Sequence, residues 1–270
     1  MGVLNLTPDS FSDGGAWLEP EAAVRHGLAM LADGAELLDL GAESTRPAGR
    51  VYGAGAAQVP LEEELRRLLP VLTGLRERTT APLSVDTRKA AVARRALAAG
   101  ADLINDVSAL RDPELAAVVA EAGCPVVLMH SRGEISDMHA HARYDDLLAE
   151  VGGELGAALE RAVAAGIDRE QVVLDPGLGF AKTAGHNLQL LRRLDLLQGL
   201  GRPLLVGASR KSFIGALTGA PPSQRTAGSL AAVAWAASHR AAMVRVHDVA
   251  ESVQFLTVWQ AVASAAETRP

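Results

Sequence analysis

The residues best suited to chemistry in this sequence are acids, amides and bases that directly follow short apolar runs. The clearest of them are Asn5, Asp86, Asn105, Asp175, Lys211, Arg245 and His247. One acid at such a position, Asp86 for example, is as well explained by a helix cap as by a functional site. Polar groups after every predicted strand instead indicate one shared pocket, because parallel strands end at the same face of a barrel.

The types of these side chains indicate what the pocket binds. Asp86, Asn105 and Asp175 are rich in acceptors and suit a flat heterocycle that presents several N–H donors along one edge, as a guanidine does. Lys211 supplies a cation beside them. An anion site at the mouth, suited to phosphates, is predicted from Asn5, Thr45, Arg245 and His247.

Other motifs carry less weight. The run GLGFAKT at 177–183 lacks the glycine that directly precedes the lysine of a P-loop, and the sequence has no Ser-His-Asp spacing, H-E-x-x-H or Cys/His zinc pattern. His130 is expected to be a satisfied strand-end histidine rather than a metal ligand with His139 and His141. The single cysteine, Cys124, is expected to be a buried structural thiol. Caps or loop polar groups are the better explanation of Asp106, Asp112 and Asp248.

The elements that must position these residues follow a repeating pattern. Continuous apolar runs, typical of parallel strands covered by helices, are predicted at 2–6, 36–40, 83–86, 102–105, 126–129, 172–175, 204–207 and 243–247. Amphipathic helices are predicted at about 20–33, 61–75, 89–99, 112–122, 144–165, 187–197, 224–238 and 250–263. This α/β alternation, with no linker to interrupt it, predicts a single-domain (β/α)8 TIM barrel over residues 1–270, with an open doubly wound sheet as the alternative.

Composition limits the partners. Apolar residues make up 49% of the chain, which allows a large core, and the net charge of −6 argues against a nucleic-acid surface. The longest apolar stretch, 227–237, is too short to span a bilayer, and no secretory signal is recognised. We therefore expect a cytoplasmic protein that binds small molecules and neither nucleic acid nor a membrane.

The stretches that carry these polar residues resemble motifs of the dihydropteroate synthase family of pterin-binding enzymes. The matching motifs are MGVLNLTPDSFSDGG (1–15), ESTRPA (43–48), SVDTRK (84–89), INDVS (104–108), LMH (128–130), LDPGLGFAKT (174–183), VGASRKSFIG (206–215) and VRVHDV (244–249). They occur in order over nearly the whole chain, and the long first, sixth and seventh motifs are together highly specific. One departure is GAESTRPA at 41–48, where the family usually has GGESTRPG.

The resemblance implies a transferase of alkyl or aryl groups, of the EC 2.5.1 type, in folate biosynthesis. Such an enzyme joins 6-hydroxymethyl-7,8-dihydropterin pyrophosphate to 4-aminobenzoate and gives 7,8-dihydropteroate and pyrophosphate, with Mg2+ as cofactor. Pyrophosphate departure leaves a stabilised pterin cation, and sulfonamides compete with 4-aminobenzoate. The resemblance also implies a homodimer through helices late in the chain, with Trp235 and Trp259 as candidate contacts.

Motif position in the resemblance also implies roles for individual residues. Pterin contacts are expected from Asp86, Asn105, Met129, Asp175 and Lys211. Pyrophosphate contacts are expected from Asn5, Thr45, Arg245 and His247, with Asn5 at the metal. The 4-aminobenzoate site is expected to be shaped by Phe11, Pro47, Phe180, Ser209 and Arg210. The catalytic groups implied are Asp13, Lys211, Arg245 and His247, with the Asp13 carboxylate beside the pterin cation.

Two other functions remain open at this point. A non-catalytic pterin-binding paralogue would share the pocket, although the intact Lys211, Arg245 and His247 argue against it. A methyltetrahydrofolate:corrinoid methyltransferase would share the pterin pocket, although the Arg-x-His at 245–247 and the SRKSF at 209–213 argue against it.

Overall fold

A computed structural model describes residues 1–7, 20–43, 59–134 and 137–265 of the chain. Four residues expected at the site, Phe11, Asp13, Thr45 and Pro47, lie outside the described residues. The roles implied for these four therefore stay predictions.

The described residues form strands and α-helices, which are numbered in chain order. The strands are β1 (Gly2–Asn5), β2 (Leu38–Gly41), β3 (Leu83–Asp86), β4 (Leu103–Asp106), β5 (Val126–Met129), β6 (Val172–Asp175), β7 (Leu205–Val206) and β8 (Met243–Val244). The helices are α1 (Pro20–Ala32), α2 (Leu61–Arg76), α3 (Ala90–Ala98), α4 (Pro113–Ala122), α5 (Leu147–Ala164), α6 (Ala184–Arg192), α7 (Leu194–Gln198), α8 (Ser212–Thr218), α9 (Thr226–Ser238) and α10 (Val249–Ala263).

The strands are parallel and follow one another around a barrel. Strands β1 to β6 form one sheet in chain order, and β7 pairs with β8. Single parallel bridges, Leu174 with Leu204 and Gly2 with Val246, join these two sheets at both edges. The ring therefore closes through short contacts on either side of the β7–β8 pair. The predicted (β/α)8 fold is confirmed, and the open sheet is not supported.

Side chains alternate along each strand between the helices and the barrel lumen. Those facing the helices are apolar and belong to the main core, as Leu4, Leu40 and Leu128 do with 0% exposure. Those facing the lumen change along the barrel axis. At the N-terminal ends of the strands they form a separate apolar cluster of Met1, Leu37, Leu103, Val127, Val173, Leu205 and Met243. At the C-terminal ends they are polar, so that end of the lumen carries the candidate site.

Short polar side chains hold the loops that leave the strands. Asp112 caps α4 by accepting a hydrogen bond from the backbone N–H of Glu114 at 2.9 Å. Asp106 accepts from the backbone N–H groups of Ser108 at 2.7 Å and Leu110 at 2.6 Å. The predictions of a cap or loop polar group are confirmed for both acids. Cys124 is a buried free thiol, also as predicted.

Several elements differ from the sequence prediction, most of all near the C-terminal half of the barrel. The segment predicted at about 187–197 is helical but not continuous, because Arg193 leaves helical geometry (φ −124°, ψ 36°) and separates α6 from α7. Helix α8 was not predicted, since its seven residues are too few to establish a periodic pattern. Strands β7 and β8 are only two residues long and shorter than predicted. No helix in the described ranges is long and apolar enough to cross a membrane.

Candidate active site

The register of the strands brings the predicted residues to one level of the lumen. Asn5 is level with Gly41, Gly41 with Asp86, and Asp86 with Asn105 across β1 to β4. Asp175 ends β6 on the far side of the barrel. A Cβ atom on Gly41 would lie 3.6 Å from Asp86 Cβ and 3.9 Å from Asn5 Oδ1. The glycine therefore keeps open the space between these polar groups.

Four side chains, which we call the floor cluster, meet at the bottom of this space: Asp39, Asp86, Asn105 and Arg245. Arg245 Nε donates to Asp39 Oδ2 at 2.6 Å, and Arg245 Nη2 donates to Asp86 Oδ2 at 3.2 Å. Asn105 Nδ2 donates to Asp39 Oδ2 at 3.0 Å. The sequence placed Arg245 at the mouth. Its guanidinium lies on the floor instead, because two buried carboxylates attract it there.

Asp39 was missed by the sequence analysis. It lies in β2 two residues before Gly41, and its side chain is 0% exposed. A carboxylate inside an apolar strand was the available signal, since a buried charge needs a partner. Its two partners, Asn105 and Arg245, were both predicted site residues, but sequence spacing does not reveal which side chains meet across a barrel.

Burial and charge together shift the pKa of Asp86 on the floor. The pKa of Asp86 is raised to about 8, first by burial and then by the neighbouring Asp39 carboxylate, while Arg245 opposes the shift. Asp86 therefore holds a proton more readily than an exposed aspartate does. An acid with this property can accept or give a proton when a heterocycle binds.

Asp175 and Lys211 face the same space from β6 and the loop after β7. Asp175 Oδ1 accepts from the backbone N–H of Gly177 at 2.7 Å, and burial raises the pKa of its carboxyl group. Burial lowers the pKa of Lys211 to about 8, although Asp175 attracts its charged form. Lys211 Nζ also lies 4.3 Å from the centroid of the Phe180 ring, within cation–π range.

His247 forms the mouth of the site with Ser209 and Asn5. Its backbone N–H donates to Ser209 Oγ at 3.2 Å, and its Nδ1 lies 3.0 Å from the same oxygen. Its Nε2 lies 3.5 Å from Asn5 Nδ2. Burial lowers the pKa of His247 to about 3, and the cations of Arg245 and Arg210 add to this shift. The imidazole is therefore neutral before a ligand binds.

Arg210 makes an ion pair at the edge of the site. Its Nε donates to Asp248 Oδ2 at 3.1 Å, and its Nη2 donates to the other carboxylate oxygen. Asp248 was expected to be a cap or a loop polar group. Its side chain does not cap α10. It is a polar group of the loop before α10 and orients Arg210, so the second of the two expectations is confirmed. The hydroxyl of Thr226 contacts the same acid at 3.3 Å.

A second set of polar groups, which we call the rim cluster, lies next to the backbone of Phe180. Its members are His130, Arg132, Glu154 and Lys182. Lys182 Nζ lies 2.8 Å from His130 Nδ1 and donates to the carbonyl oxygen of Phe180 at 3.0 Å. His130 Nε2 lies 3.1 Å from Glu154 Oε2. His130 is thus a satisfied strand-end histidine, as predicted. Within the described ranges, no three His, Cys, Asp or Glu side chains converge as metal ligands.

An apolar wall completes the site above the floor. Met129 and Phe180 are 4% and 8% exposed and pack together in one small cluster with Val107, Met138 and Ala181. Acceptors on a floor, cations beside them and an apolar wall define a (β/α)8-barrel protein that binds a polar heterocycle and an anion at the C-terminal ends of its strands.

Comparison with known proteins identifies the family. The family model described as Pterin binding enzyme matches residues 1–247. The dihydropteroate synthase of Escherichia coli (strain K12) is 45% identical over 269 residues, which cover 100% of this chain and 93% of that protein. The chain belongs to the dihydropteroate synthase family of pterin-binding enzymes. The family recognised from the sequence motifs is thereby confirmed.

Solved structures agree with this assignment. The Xanthomonas albilineans dihydropteroate synthase with 4-aminobenzoic acid is 52% identical, with a TM-score of 0.90 over 98% of this chain and 93% of that one. The Yersinia pestis dihydropteroate synthase in complex with a sulfonamide drug is 46% identical, with a TM-score of 0.91 over 98% of this chain and 94% of that one. The roles of individual site residues stay predictions.

Proposed function

We propose that the chain catalyses the dihydropteroate synthase reaction, as a transferase of the EC 2.5.1 type in folate biosynthesis. The C–O bond between the methylene carbon and the pyrophosphate of 6-hydroxymethyl-7,8-dihydropterin pyrophosphate breaks. The amine nitrogen of 4-aminobenzoate then forms a C–N bond to that carbon and loses one proton, which gives 7,8-dihydropteroate. The observation that carries this proposal is the floor cluster, with Asp175 and Lys211 beside it.

The floor suits a pterin ring. A pterin presents a guanidine-like edge with several N–H donors, and a buried carboxylate facing such an edge makes paired, charge-assisted hydrogen bonds. Asp86, Asn105 and Asp175 supply acceptors around one space, and Lys211 supplies a donor. Met129 packs in the wall close to this space, where an apolar side chain suits the flat face of a ring.

Departure of pyrophosphate leaves an anion and a pterin cation, and the site contains residues suited to each of these two ions. Arg245 and His247 are the groups proposed to hold the leaving anion, and the carboxylates of Asp86 and Asp175 are proposed to stabilise the ring that becomes cationic. The predicted role of Asp13, a further carboxylate beside the cation, belongs to the same proposal. No covalent nucleophile is required, and exclusion of water protects the cation from capture.

Asn5 is the described residue that best fits Mg2+, the predicted cofactor. Its amide oxygen is a hard ligand, and Mg2+ commonly takes only one or two protein oxygens while substrate phosphates and water complete its shell. Asn5 also reaches His247, so a metal ion there would meet the pyrophosphate that His247 contacts. When bound, Mg2+ would neutralise charge on the leaving group. Thr45 is a second residue predicted at this position.

The 4-aminobenzoate subsite is proposed beside Phe180, Ser209 and Arg210, with Phe11 and Pro47 as further predicted walls. The Phe180 ring lies against Lys211, and the Arg210 guanidinium is held by Asp248. Sulfonamides are expected to compete for this subsite, as the Yersinia pestis relative with its sulfonamide drug suggests.

A homodimer through α9 and α10, in the cytoplasm, is also part of the proposal. These helices expose large apolar side chains, with Trp235 at 46%, Val258 at 60% and Val262 at 72% exposure, while Trp259 is half-buried. Apolar exposure of this size on neighbouring helices is typical of an interaction surface. We expect light scattering to give twice the mass of one chain. A monomer at micromolar concentration would contradict the dimer.

Pyrophosphate release tests the reaction directly. Purified protein with Mg2+ and both substrates should release pyrophosphate at a rate at least about 10²-fold above Lys211→Ala, because removal of a preorganised charged group typically costs that much. A sulfonamide should raise the apparent KM for 4-aminobenzoate. Calorimetric pterin binding without turnover would favour the non-catalytic paralogue instead, and corrinoid-dependent methyl transfer would favour the methyltransferase.

A further inference from the structure

Asp39 is the member of the floor cluster that is closed off from the lumen, so a ligand there does not reach it. Its side chain is 0% exposed, and its position in β2 is one lumen layer below Gly41, Asp86 and Asn105. It nevertheless bonds to two side chains that face the ligand space, Asn105 and Arg245.

The carboxylate of Asp39 determines which way the amide of Asn105 faces. An ionised carboxylate only accepts hydrogen bonds, so the Asn105 atom that lies 3.0 Å from it must be the nitrogen. One N–H of Asn105 is thereby used, and the amide oxygen and the second N–H are left for a ligand. If the amide turned over, its oxygen would face a carboxylate oxygen, which is unfavourable.

Asp39 restricts Arg245 in the same way. The guanidinium is held at two points, by Asp39 through Nε at 2.6 Å and by Asp86 through Nη2 at 3.2 Å. Two bonds from one planar group fix its orientation across the floor. The ordering occurs on folding, so an arriving ligand does not have to impose it.

We propose that Asp39 is a positioning residue of this site. It sets the pattern of one acceptor and one donor that Asn105 presents to the pterin edge, and it holds Arg245 on the floor. The inference rests on the proposed function, and it adds a buried residue to those predicted to touch the substrates.

Asp39→Asn tests the proposal, because it keeps the side-chain shape and removes an acceptor-only group. The probe is 6-hydroxymethylpterin, titrated by calorimetry into wild type, Asp39→Asn, Asn105→Ala and the double variant. We expect Asp39→Asn to weaken binding about tenfold or more, the scale for a lost hydrogen bond to a charged group. In turnover, KM for the pterin substrate should rise while KM for 4-aminobenzoate stays unchanged. In the Asn105→Ala background, Asp39→Asn should weaken binding much less.

Asp102→Asn is the matched control. Asp102 also accepts from a strand partner, the backbone N–H of Leu83 at 2.7 Å, and from an arginine, Arg76 at 3.1 Å. These bonds lie at the N-terminal ends of β3 and β4, away from the floor. The variant therefore removes a carboxylate with similar partners, although one that is 46% exposed, and should bind the pterin probe within about twofold of wild type.

The outcomes separate the two proposals. Wild-type affinity in Asp39→Asn, or losses in Asp39→Asn and Asn105→Ala that add fully, would overturn the positioning role. Failure of wild type to bind the probe would overturn the proposed function instead. If Asp39→Asn does not fold, the side-chain amide signal of Asn105 in ligand-free wild type, assigned by its loss in Asn105→Ala, decides. Slow exchange of that NH2 group with water supports the proposal, and exchange as fast as in an exposed asparagine contradicts it.

Discussion

The floor cluster and the rim cluster each contain a cation, Arg245 and Lys182, but the partners of the two cations differ. Arg245 on the floor bonds to two carboxylates, at 2.6 Å to Asp39 and 3.2 Å to Asp86. Lys182 in the rim bonds to a ring nitrogen of His130 at 2.8 Å and to a carbonyl oxygen at 3.0 Å. Arg245 therefore has acidic side chains as its hydrogen-bond partners, whereas Lys182 has only a ring nitrogen and a carbonyl oxygen.

The two cations also respond differently to pH. A guanidinium stays charged in any protein environment, so Arg245 provides a permanent charge on the floor. Burial lowers the pKa of Lys182 to about 7, because the attraction of Asp175 and Glu154 compensates only part of the desolvation. Burial likewise lowers the pKa of His130 to about 4, so its imidazole is neutral near pH 7.

The two clusters also position different parts of the site. The floor cluster orients groups predicted to touch the pterin and the pyrophosphate. The rim cluster holds the backbone of the wall, since Lys182 donates to the carbonyl oxygen of Phe180 and the hydroxyl of Tyr144 donates to that of Ala181 at 3.0 Å. Ala181 has a φ of +48°, a conformation that needs such support in a non-glycine residue. We therefore expect floor variants to lose chemistry and rim variants to lose stability first.

The largest effect is expected from Arg245→Met. The variant removes a permanent charge from the floor cluster and leaves Asp39 and Asp86 as buried acids without their shared partner. We expect kcat to fall by about 10²–10³, the typical cost of losing one preorganised electrostatic group. Pyrophosphate release at saturating substrates measures it.

Arg202→Met provides the control for that loss. Arg202 is a buried arginine outside the site, and it donates to the carbonyl oxygen of Val172 at 3.1 Å and to Glu170 at 2.6 Å near the N-terminal end of β6. It should lower the melting temperature and leave kcat within about threefold of wild type. An equal fall of kcat in both variants would mean that the floor charge has no special part in the reaction.

An intermediate effect is expected on stability when Lys182 is replaced by methionine. The ordinary pKa of 10.5 applies in the unfolded chain, and the pKa in the folded protein is about 7. Between pH 7 and pH 10.5 the unfolded chain binds one more proton than the folded protein, so the free energy of unfolding increases with pH across that window. Below pH 7 Lys182 is charged in both states, and the full cost of burying its charge is present. Relative to Lys182→Met, wild type should gain about 1.4 kcal/mol per pH unit within the window.

Urea unfolding of both proteins at half-unit steps from pH 6 to 9.5 measures this slope. The difference between the proteins removes most of the contribution of other titrating groups, including Asp86 and Lys211. A difference that stays flat from pH 7.5 to 9.5 would contradict the low pKa. It would indicate that Lys182 keeps its charge and resembles Arg245 in that respect.

Much of this arrangement could be predicted from the sequence, for physical reasons that particular residues illustrate. Strands such as Val126–Met129 are continuous apolar runs because both of their faces are buried, and that pattern is easily recognised. The convergence of Asp86 and Asp175 followed from topology alone, since parallel strands end together. Motif resemblance added residues such as Met129 that no spacing rule would select.

The pairings inside the barrel could not be predicted in the same way. The contacts of Asp39 with Asn105 and Arg245 span 66 and 206 residues of sequence and depend on strand register and tilt. The Lys182 contact with His130 depends on how a loop folds back after β6. From a single sequence it is easier to predict which residues face the lumen than to predict which of them contact one another there.

The smallest effect is expected from Glu154→Gln in the rim cluster. Glu154 accepts from His130 Nε2, which leaves His130 Nδ1 as the acceptor for Lys182, but the Glu154 side chain is 43% exposed and its pair with Arg132 is partly screened. The amide oxygen of glutamine can still accept from Nε2. We therefore expect a loss of at most about 1 kcal/mol in unfolding free energy and a change of at most about threefold in KM for 4-aminobenzoate. Glu160→Gln, which breaks the exposed pair with Arg169, is the control. A tenfold rise in KM for Glu154→Gln alone would place the rim cluster beside the floor cluster in its importance for substrate binding.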